Sequence, residues 1–369
     1  MPARTAIGLD IGSTAVRAAE LSFGKDGVTL QAVGQVLLPE GAVRDGEVLD
    51  APAVTAALRQ LWSSTRFRSK HVVLGVANQR VVVRQTDLPA MPESDLAAAL
   101  PFQVQDLLPM PVEDAVLDFH RLEDVTGPAG QPLMRGLLVA ASKEMVLTNV
   151  ACVQAAGLTV DSVDLTPFAV LRSLGARLDV DVETEALVDV GARVTNIVVH
   201  SGGVPQFVRI LLLGGQEVTD TVAELLGLTP EEAEALKLAH RVDAAAEAEA
   251  EAEADADPEA DAPVGVGPVP TAAVVTDASQ ALVDEIRGSL DYYDTGHPHS
   301  PVQRLVLSGG GSLLDGLAAR LADATRVPVH RGDSLTGLRV GRRPLDPDEV
   351  AALAPRVAVP VGLAMGGTR

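Results

Sequence analysis

This 369-residue chain is poor in several of the features on which proteins commonly rely. Its one cysteine, Cys152, leaves no internal disulfide framework open, and the thiol reads as a small buried side chain rather than a nucleophile. Aromatic residues make up 2% of the chain, and its 47% apolar content is dominated by Ala, Val and Leu. No apolar run reaches membrane-spanning length, and Arg4 and Asp10 interrupt the first apolar stretch. A cytoplasmic chain with neither signal peptide nor anchor is expected. Basic residues are scarce: 29 Lys and Arg against 50 Asp and Glu leave a net charge of −21, which disfavours nucleic acid as a partner. Part of that charge is local, because Asp243 to Asp261 carries acidic residues and no basic one.

What the chain does have is enough length for two domains with full cores and 33 glycines, as buried parallel strands flanked by helices require. It also has a near-repeat. Ile7-Gly8-Leu9-Asp10-Ile11-Gly12-Ser13-Thr14 is matched by Leu187-Val188-Asp189-Val190-Gly191-Ala192-Arg193-Val194-Thr195, and Leu307-Ser308-Gly309-Gly310-Gly311-Ser312 follows late in the chain. In each copy a short apolar strand ends on a carboxylate, turns at glycine and returns in a second apolar run. Glycine lets backbone N–H groups approach a phosphate, and the hydroxyls of Ser13 and Thr14 add donors. Asp10 and Asp189 would repel that phosphate, so they fit the pattern only with a hard cation between, most plausibly Mg²⁺ keeping several waters. One Asp-x-Gly turn is a common β-turn; two copies half a chain apart, plus a glycine turn, suggest a clamp on ATP or ADP.

Along the chain, helices are expected over Ala51–Ser64, from a Ser94 cap through Leu108 despite Pro101, over Lys143–Ala156, Gln216–Leu226 and Pro230–His240, and from Asp277 through Tyr293. Thr229-Pro230-Glu231-Glu232 is a helix start signal. The alternation of Ala with Glu or Asp after Asp243 reads as a solvated, mostly disordered insertion. The expected organisation is a first ATPase domain in residues 1–83 and 161–184, an inserted α+β subdomain in 84–160 and a second-domain core in 185–215 and 296–346. An outer subdomain in 216–295 contains the insertion 243–271, and a C-terminal helical segment in 347–369 packs back on the first domain.

Several stretches carry a more specific likeness: Met91 to Phe119, with a helix, a proline pair and Glu113-Asp114-Ala115-Val116-Leu117-Asp118-Phe119; Leu137 to Glu144; Glu231 to Lys237; Glu285 to Tyr293; and Leu345 through Ala364. In these the chain resembles the PilM-type type IV pilus assembly proteins, FtsA-like members of the actin, sugar-kinase and heat-shock chaperone ATPase superfamily. The resemblance implies an α/β actin-like ATPase fold with two related domains around a nucleotide cleft. It also implies a scaffold role, with the N-terminal cytoplasmic tail of a PilN-like bitopic inner-membrane protein as partner. Pilus assembly ATPases and further copies of the chain are additional candidate partners.

Carried over by position, the resemblance places Asp10 on Mg²⁺ through water and Gly12, Ser13 and Thr14 on the phosphates, faced by Asp189, Gly191 and Thr195. Glu234 and Lys237 would hold the ribose or adenine edge, Arg287 would stack on the base, and Gly309, Gly310 and Gly311 would pass beneath it. Helix statistics alone favour a surface i,i+3 ion pair for Glu234 and Lys237, and only the resemblance turns them toward the nucleotide. Where relatives carry Glu-Pro, this chain has Thr166 before Pro167; a hydroxyl cannot act as base near neutral pH, so slow hydrolysis is expected. Leu108, Met110, Val112 and Val116, set among prolines, are the candidate partner groove, although several could simply fill the subdomain's own core. A carbohydrate kinase of the same fold and an FtsA-like cell-division or filament protein remain alternatives.

Overall fold

The computed structural model describes residues 4–25, 27–175, 182–239, 271–341 and 347–367. The acidic insertion expected over 243–271, apart from Thr271, and the helix end expected at His240 lie outside the described residues.

The first domain opens with three antiparallel strands, β1 (Arg4–Ile11), β2 (Ala15–Gly24) and β3 (Gly27–Leu37). Register pairs Asp10 with Arg17 and Ile11 with Val16, and the turn closes with the Gly12 N–H donating to the Ala15 carbonyl at 3.0 Å. A small hairpin follows, β4 (Val43–Arg44) and β5 (Glu47–Val48), turning at Asp45 and Gly46, both with positive φ. Helix α1 (Ala51–Thr65) is capped by Asp50, whose carboxylate accepts from the Ala53 N–H at 3.0 Å. Its apolar side, Val54, Leu58 and Leu61, is fully buried. Strand β6 (His71–Val76) then pairs parallel to β1.

The insert is a three-stranded antiparallel sheet in the order β7 (Val81–Pro89), β9 (Pro132–Ser142), β8 (Ala115–Thr126), with helix α2 (Glu93–Val104) closing a core of Leu88, Leu100, Val104, Phe119, Met134 and Leu138. Helix α2 begins one residue before the expected cap. Pro92 precedes it, and the Ser94 hydroxyl donates to the Asp95 carboxylate instead of capping. The helix tolerates Pro101 but stops at Val104, and Gln105–Leu107 tightens into a 3-10 turn, short of the expected Leu108.

Helix α3 (Lys143–Ala155) joins the insert to the first domain. Met145 and Val146 pack under the inserted sheet, whereas Cys152 and Val153 enter the core of the first domain. The insert expected over 84–160 thus merges into the first domain along this helix, because one apolar face serves both cores. Strand β10 (Thr159–Leu165) completes the first sheet beside β6, and helix α4 (Thr166–Leu174) leads to the second domain.

The second domain repeats the opening hairpin. Strands β11 (Thr184–Val190), β12 (Thr195–Ser201) and β13 (Val204–Leu211) are antiparallel, and the Gly191 N–H donates to the Val194 carbonyl at 2.9 Å. Helices α5 (Gly215–Leu226) and α6 (Pro230–Ala239) follow. The Thr229 start signal forms as a reciprocal cap: the Thr229 N–H donates to the Glu232 carboxylate at 2.9 Å and the Glu232 N–H donates to the Thr229 hydroxyl at 3.3 Å. The helix expected from Asp277 is two helices, α7 (Thr271–Ala278) and α8 (Gln280–Gly296), broken at Ser279. Strand β14 (Arg304–Ser308) pairs parallel to β11, and after the glycine turn come α9 (Leu317–Thr325) and β15 (Val329–Arg331). The sheet orders are β10-β6-β1-β2-β3-β16 and β13-β12-β11-β14-β15, where β16 is Arg339–Val340.

After α10 (Pro347–Leu353), the chain packs against the first domain in helix α11 (Ala358–Gly366). Its Val361, Leu363 and Ala364 are completely buried. Contact here is backbone to backbone: a Cβ on Gly362 would sit 1.8 Å from the Ala169 carbonyl oxygen of α4, and one on Gly8 would sit 2.0 Å from the Pro360 carbonyl oxygen.

Near the start of β11, the central strand of the second sheet, Glu185 is buried between Arg304, at 2.5 Å, and His200, at 3.2 Å. Burial alone pushes its carboxyl up, but hydrogen bonds and charge from His200 and Arg304 outweigh this and hold it below its usual 4.5. A depressed carboxyl stabilises the fold above pH 4.5, and that contribution is lost as pH falls through the folded value. Glu185→Gln is expected to cost about 3 kcal/mol at pH 7 by removing the buried charge that pairs with the part-buried Arg304 guanidinium. Urea titrations should show this deficit shrinking below pH 4; a pH-independent deficit would contradict the assignment.

Candidate functional site

A cavity of about 710 Å³ opens between the two domains, and both repeat turns reach it. From the first domain come Asp10, Gly12, Ser13 and Thr14; from the second, Asp189 and Gly191, with Gly309, Gly310 and Gly311 along one wall. The glycines are required by close approach. A Cβ on Gly191 would lie 2.6 Å from the Val194 carbonyl oxygen, and Gly309, at φ 83°, passes so near Val190 that a Cβ would sit 2.3 Å from its carbonyl oxygen.

The two carboxylates share an unfavourable environment. Burial pushes Asp10 up from 3.8 to about 6, Arg17 draws it back down and Asp189 adds to the rise. Burial also raises Asp189, against the Ser308 hydroxyl, the Asn196 amide and the charge of Arg17. Arg17 sits 3.9 Å from Asp10, and its own pKa is lowered by burial, against the attraction of Asp10 and Asp189. Its buried Nε has no hydrogen-bond partner.

Thr166 lines the cavity at the start of α4, and its hydroxyl donates across the domain boundary to Asn196 Oδ1 at 3.0 Å. Glu234 and Lys237 also line it. They are no solvated pair: the Lys237 side chain is 10% exposed, and its ammonium lies 2.8 Å from the Gly215 carbonyl, 2.6 Å from the Thr219 hydroxyl and 2.5 Å from Glu234. Lys237 thereby ties α6 to the start of α5.

Two expected residues lie elsewhere. Thr195 is fully buried and its hydroxyl donates to the Leu213 carbonyl at 2.7 Å, so it anchors the strand end rather than facing the cavity. Arg287 is outside the lining. Leu282, Val283, Ile286 and Leu290 turn inward on α8, which puts Arg287 on the outer face, 3.7 Å from Asp284. Among the lining residues that escaped the sequence reading are Arg17, Asn196 and Arg356. Arg17 was legible in principle, as a lone cation in an apolar strand directly opposite Asp10 in the hairpin register.

A second cavity lies where the insert meets the first domain, lined by Arg80, Val82, Met110, Lys143, Glu144 and Leu147 among others. Of the candidate groove set, Met110 reaches it. Leu108 packs against the insert's own core, Val112 sits half-buried in a 3-10 turn outside the lining, and Val116 is exposed.

Among the described residues, no three His, Cys, Asp or Glu side chains cluster as a metal site made by protein alone. The two-carboxylate donor set fits an oxygen-ligated cation that keeps waters and shares a phosphate, as Mg²⁺ does. A raised carboxyl stabilises the fold below its unfolded pKa and loses that contribution as pH rises through its folded value, so Asp10 weighs against the fold above about pH 6. Asp10→Asn is therefore expected to stabilise the protein in EDTA by roughly 2–3 kcal/mol at pH 7.5 and to leave it unchanged near pH 4. Denaturant melts at the two pH values check this.

Comparison with known proteins places the chain. The family model for type IV pilus assembly protein PilM matches residues 8–250, and that for cell division protein FtsA matches residues 186–359. Cell division protein FtsA of Neisseria meningitidis serogroup B is 24% identical over 374 aligned residues, spanning 95% of this chain and 86% of its own length. The FtsA of Enterococcus hirae is 27% identical over 253 residues, covering 63% of this chain and 57% of its own. Among solved structures, the PilM-PilN type IV pilus biogenesis complex is 26% identical and superposes with a TM-score of 0.80, covering 99% of this chain and 98% of that one. A diol dehydratase-reactivating factor in nucleotide-free form shares the fold alone, with a TM-score of 0.54 at 11% identity over 99% of each chain. The fold is that of the actin-like ATPases, and the chain belongs to the type IV pilus assembly protein PilM family.

Proposed function

We propose that this protein is a nucleotide-gated scaffold of type IV pilus assembly. It takes ATP or ADP with Mg²⁺ between its domains and holds the N-terminal cytoplasmic tail of a PilN-type membrane protein beside its insert. The observation that carries the reading is the apposition of two glycine turns and two carboxylates, Asp189 buried and Asp10 mostly so, across one cavity. In this reading the N–H groups of the Gly12 and Gly191 turns donate to phosphate oxygens, and Asp10 and Asp189 hold the cation through its waters. Glu234 and Lys237 border the sugar. The cation supplies charge neutralisation between carboxylates and phosphates; the protein's own groups fix the geometry.

Support for the partner comes from the PilN-containing complex, whose fold this chain shares over nearly its whole length, and from the second cavity beside the insert. Among the described residues no helix is long and apolar enough to cross a membrane. In this reading the tail of the partner holds the protein at the inner face of the cytoplasmic membrane.

Slow hydrolysis follows from Thr166, whose hydroxyl is already committed to Asn196. A water beside it would meet no base at that position, and a general base is worth about 10²–10⁴-fold.

Mg-ATP at about 100 times its dissociation constant should raise stability by about 2.7 kcal/mol in thermal melts, and Asp10→Ala or EDTA should remove most of the gain. A synthetic peptide of the N-terminal cytoplasmic residues of the PilN-type protein should bind saturably, and Met110→Glu should weaken it about tenfold without changing the melting temperature. Absence of any nucleotide shift rejects the cleft assignment, and absence of peptide binding rejects the scaffold reading in favour of a kinase. Phosphate release should be far slower than once per second in the wild type and rise at least tenfold in Thr166→Glu. Turnover of several per second without a partner contradicts the role given to Thr166.

A further inference from the structure

The two cavities are built from adjoining stretches of the same elements. Ala77 lines the cleft between the domains, Gln79 and Arg80 line the groove beside the insert, and Asn78, completely buried, stands between. Helix α3 repeats the arrangement. Lys143, Glu144 and Leu147 face the groove and Asn149 faces the cleft, so about 9 Å of helix spans both.

The seam between them is polar. Asn78 Nδ2 donates to Glu47 Oε1 at 3.2 Å, and Asn78 Oδ1 accepts from the Arg80 N–H at 2.6 Å. The Arg80 guanidinium pairs with Glu47 at 3.2 Å and lies 3.7 Å from Glu144 at the groove. Glu47 belongs to the β4–β5 hairpin, and that hairpin is also a wall of the cleft through Val43 and Gly46. It bears directly on the 77–80 segment: a Cβ on Gly46 would lie 2.0 Å from the Ala77 carbonyl oxygen. A displacement of the hairpin therefore moves the backbone that carries Arg80. Glu47 itself is absent from the lining of either cavity.

We propose that Glu47 couples the two cavities: a nucleotide in the cleft displaces the β4–β5 hairpin, and Glu47 passes that displacement to Arg80 and Glu144 at the rim of the groove. The inference rests on the nucleotide and tail-peptide reading given above. Half-exposed ion pairs suit the task. The side chains of Arg80 and Glu47 are 48% and 33% exposed, so their pairing is weak enough to break and re-form as the two ligands exchange. Coupling of this kind is reciprocal, each ligand changing the affinity of the other by the same factor.

Titration calorimetry with the synthetic PilN-type tail peptide, with and without Mg²⁺ and a non-hydrolysable ATP analogue, reads the coupling. The wild type should show a factor of about five or more, equal in both directions. Glu47→Gln should bring that factor below about two while each ligand alone binds within about twofold of its wild-type affinity. Arg80→Gln provides a second variant if Glu47→Gln does not fold, and it too should lose the factor. If both ligands bind the wild type independently, or if Glu47→Gln retains the full factor, the coupling proposal is overturned and the scaffold reading stands. If either ligand fails to bind the wild type alone, the scaffold reading itself falls and this proposal with it.

Discussion

Two carboxylates that repel one another across the cleft between the domains are the constraint around which this molecule is arranged. Asp10 and Asp189 each end the central strand of a domain, and burial disfavours their charged forms. Arg17 lies close enough to relieve part of the cost, yet at 3.9 Å it makes no tight ion pair with Asp10. The remaining compensation is best supplied by something brought in from solution, and the surroundings are shaped for it. Backbone N–H groups at the two glycine turns suit anions, while the carboxylates suit a hydrated cation between. The overall charge of −21 gives such a cation a favourable field to enter.

The duplicated hairpin gives the two domains the same turn but different neighbours. The first sheet is extended through β10 and shares α3 with the insert, whereas the second is backed by α5, α6 and α8. The Thr166–Asn196 hydrogen bond crosses between them at the cavity. The Thr166 hydroxyl, at the position where the resemblance leads one to expect a carboxylate, is thus a tie between domains. Lys237 plays a comparable double part, satisfying the Gly215 carbonyl at the start of α5 while bordering the cavity with Glu234.

Much of this was legible in the residues because it depends on local pattern. Asp10-x-Gly12 and Asp189-x-Gly191 mark strand ends whatever surrounds them, and Thr229 to Glu232 is a self-contained cap. Features set by tertiary packing were harder to read. Arg287 and Thr195 stand at positions that a linear motif can assign to a ligand, but core residues on α8 turn the first outward and the Leu213 carbonyl claims the second. Lys237 looked solvated because helix periodicity does not reveal a neighbouring helix start. Leu108 and Met110 are two residues apart in a proline-broken segment with no regular period, so which of them faces inward depends on the insert's own core.

Helix α11 carries a consequence for how the chain is made. Strand β1 is synthesised about 350 residues before the segment that covers the face that includes Gly8, through a backbone contact that admits no side chain. At roughly 5–20 residues per second, the nascent first domain waits on the order of tens of seconds for helix α11. During that interval its apolar face must be shielded by a chaperone or held in a looser arrangement. The first domain is therefore completed after the second, and the synthesis of α11, rather than the emergence of each domain, sets when it becomes native.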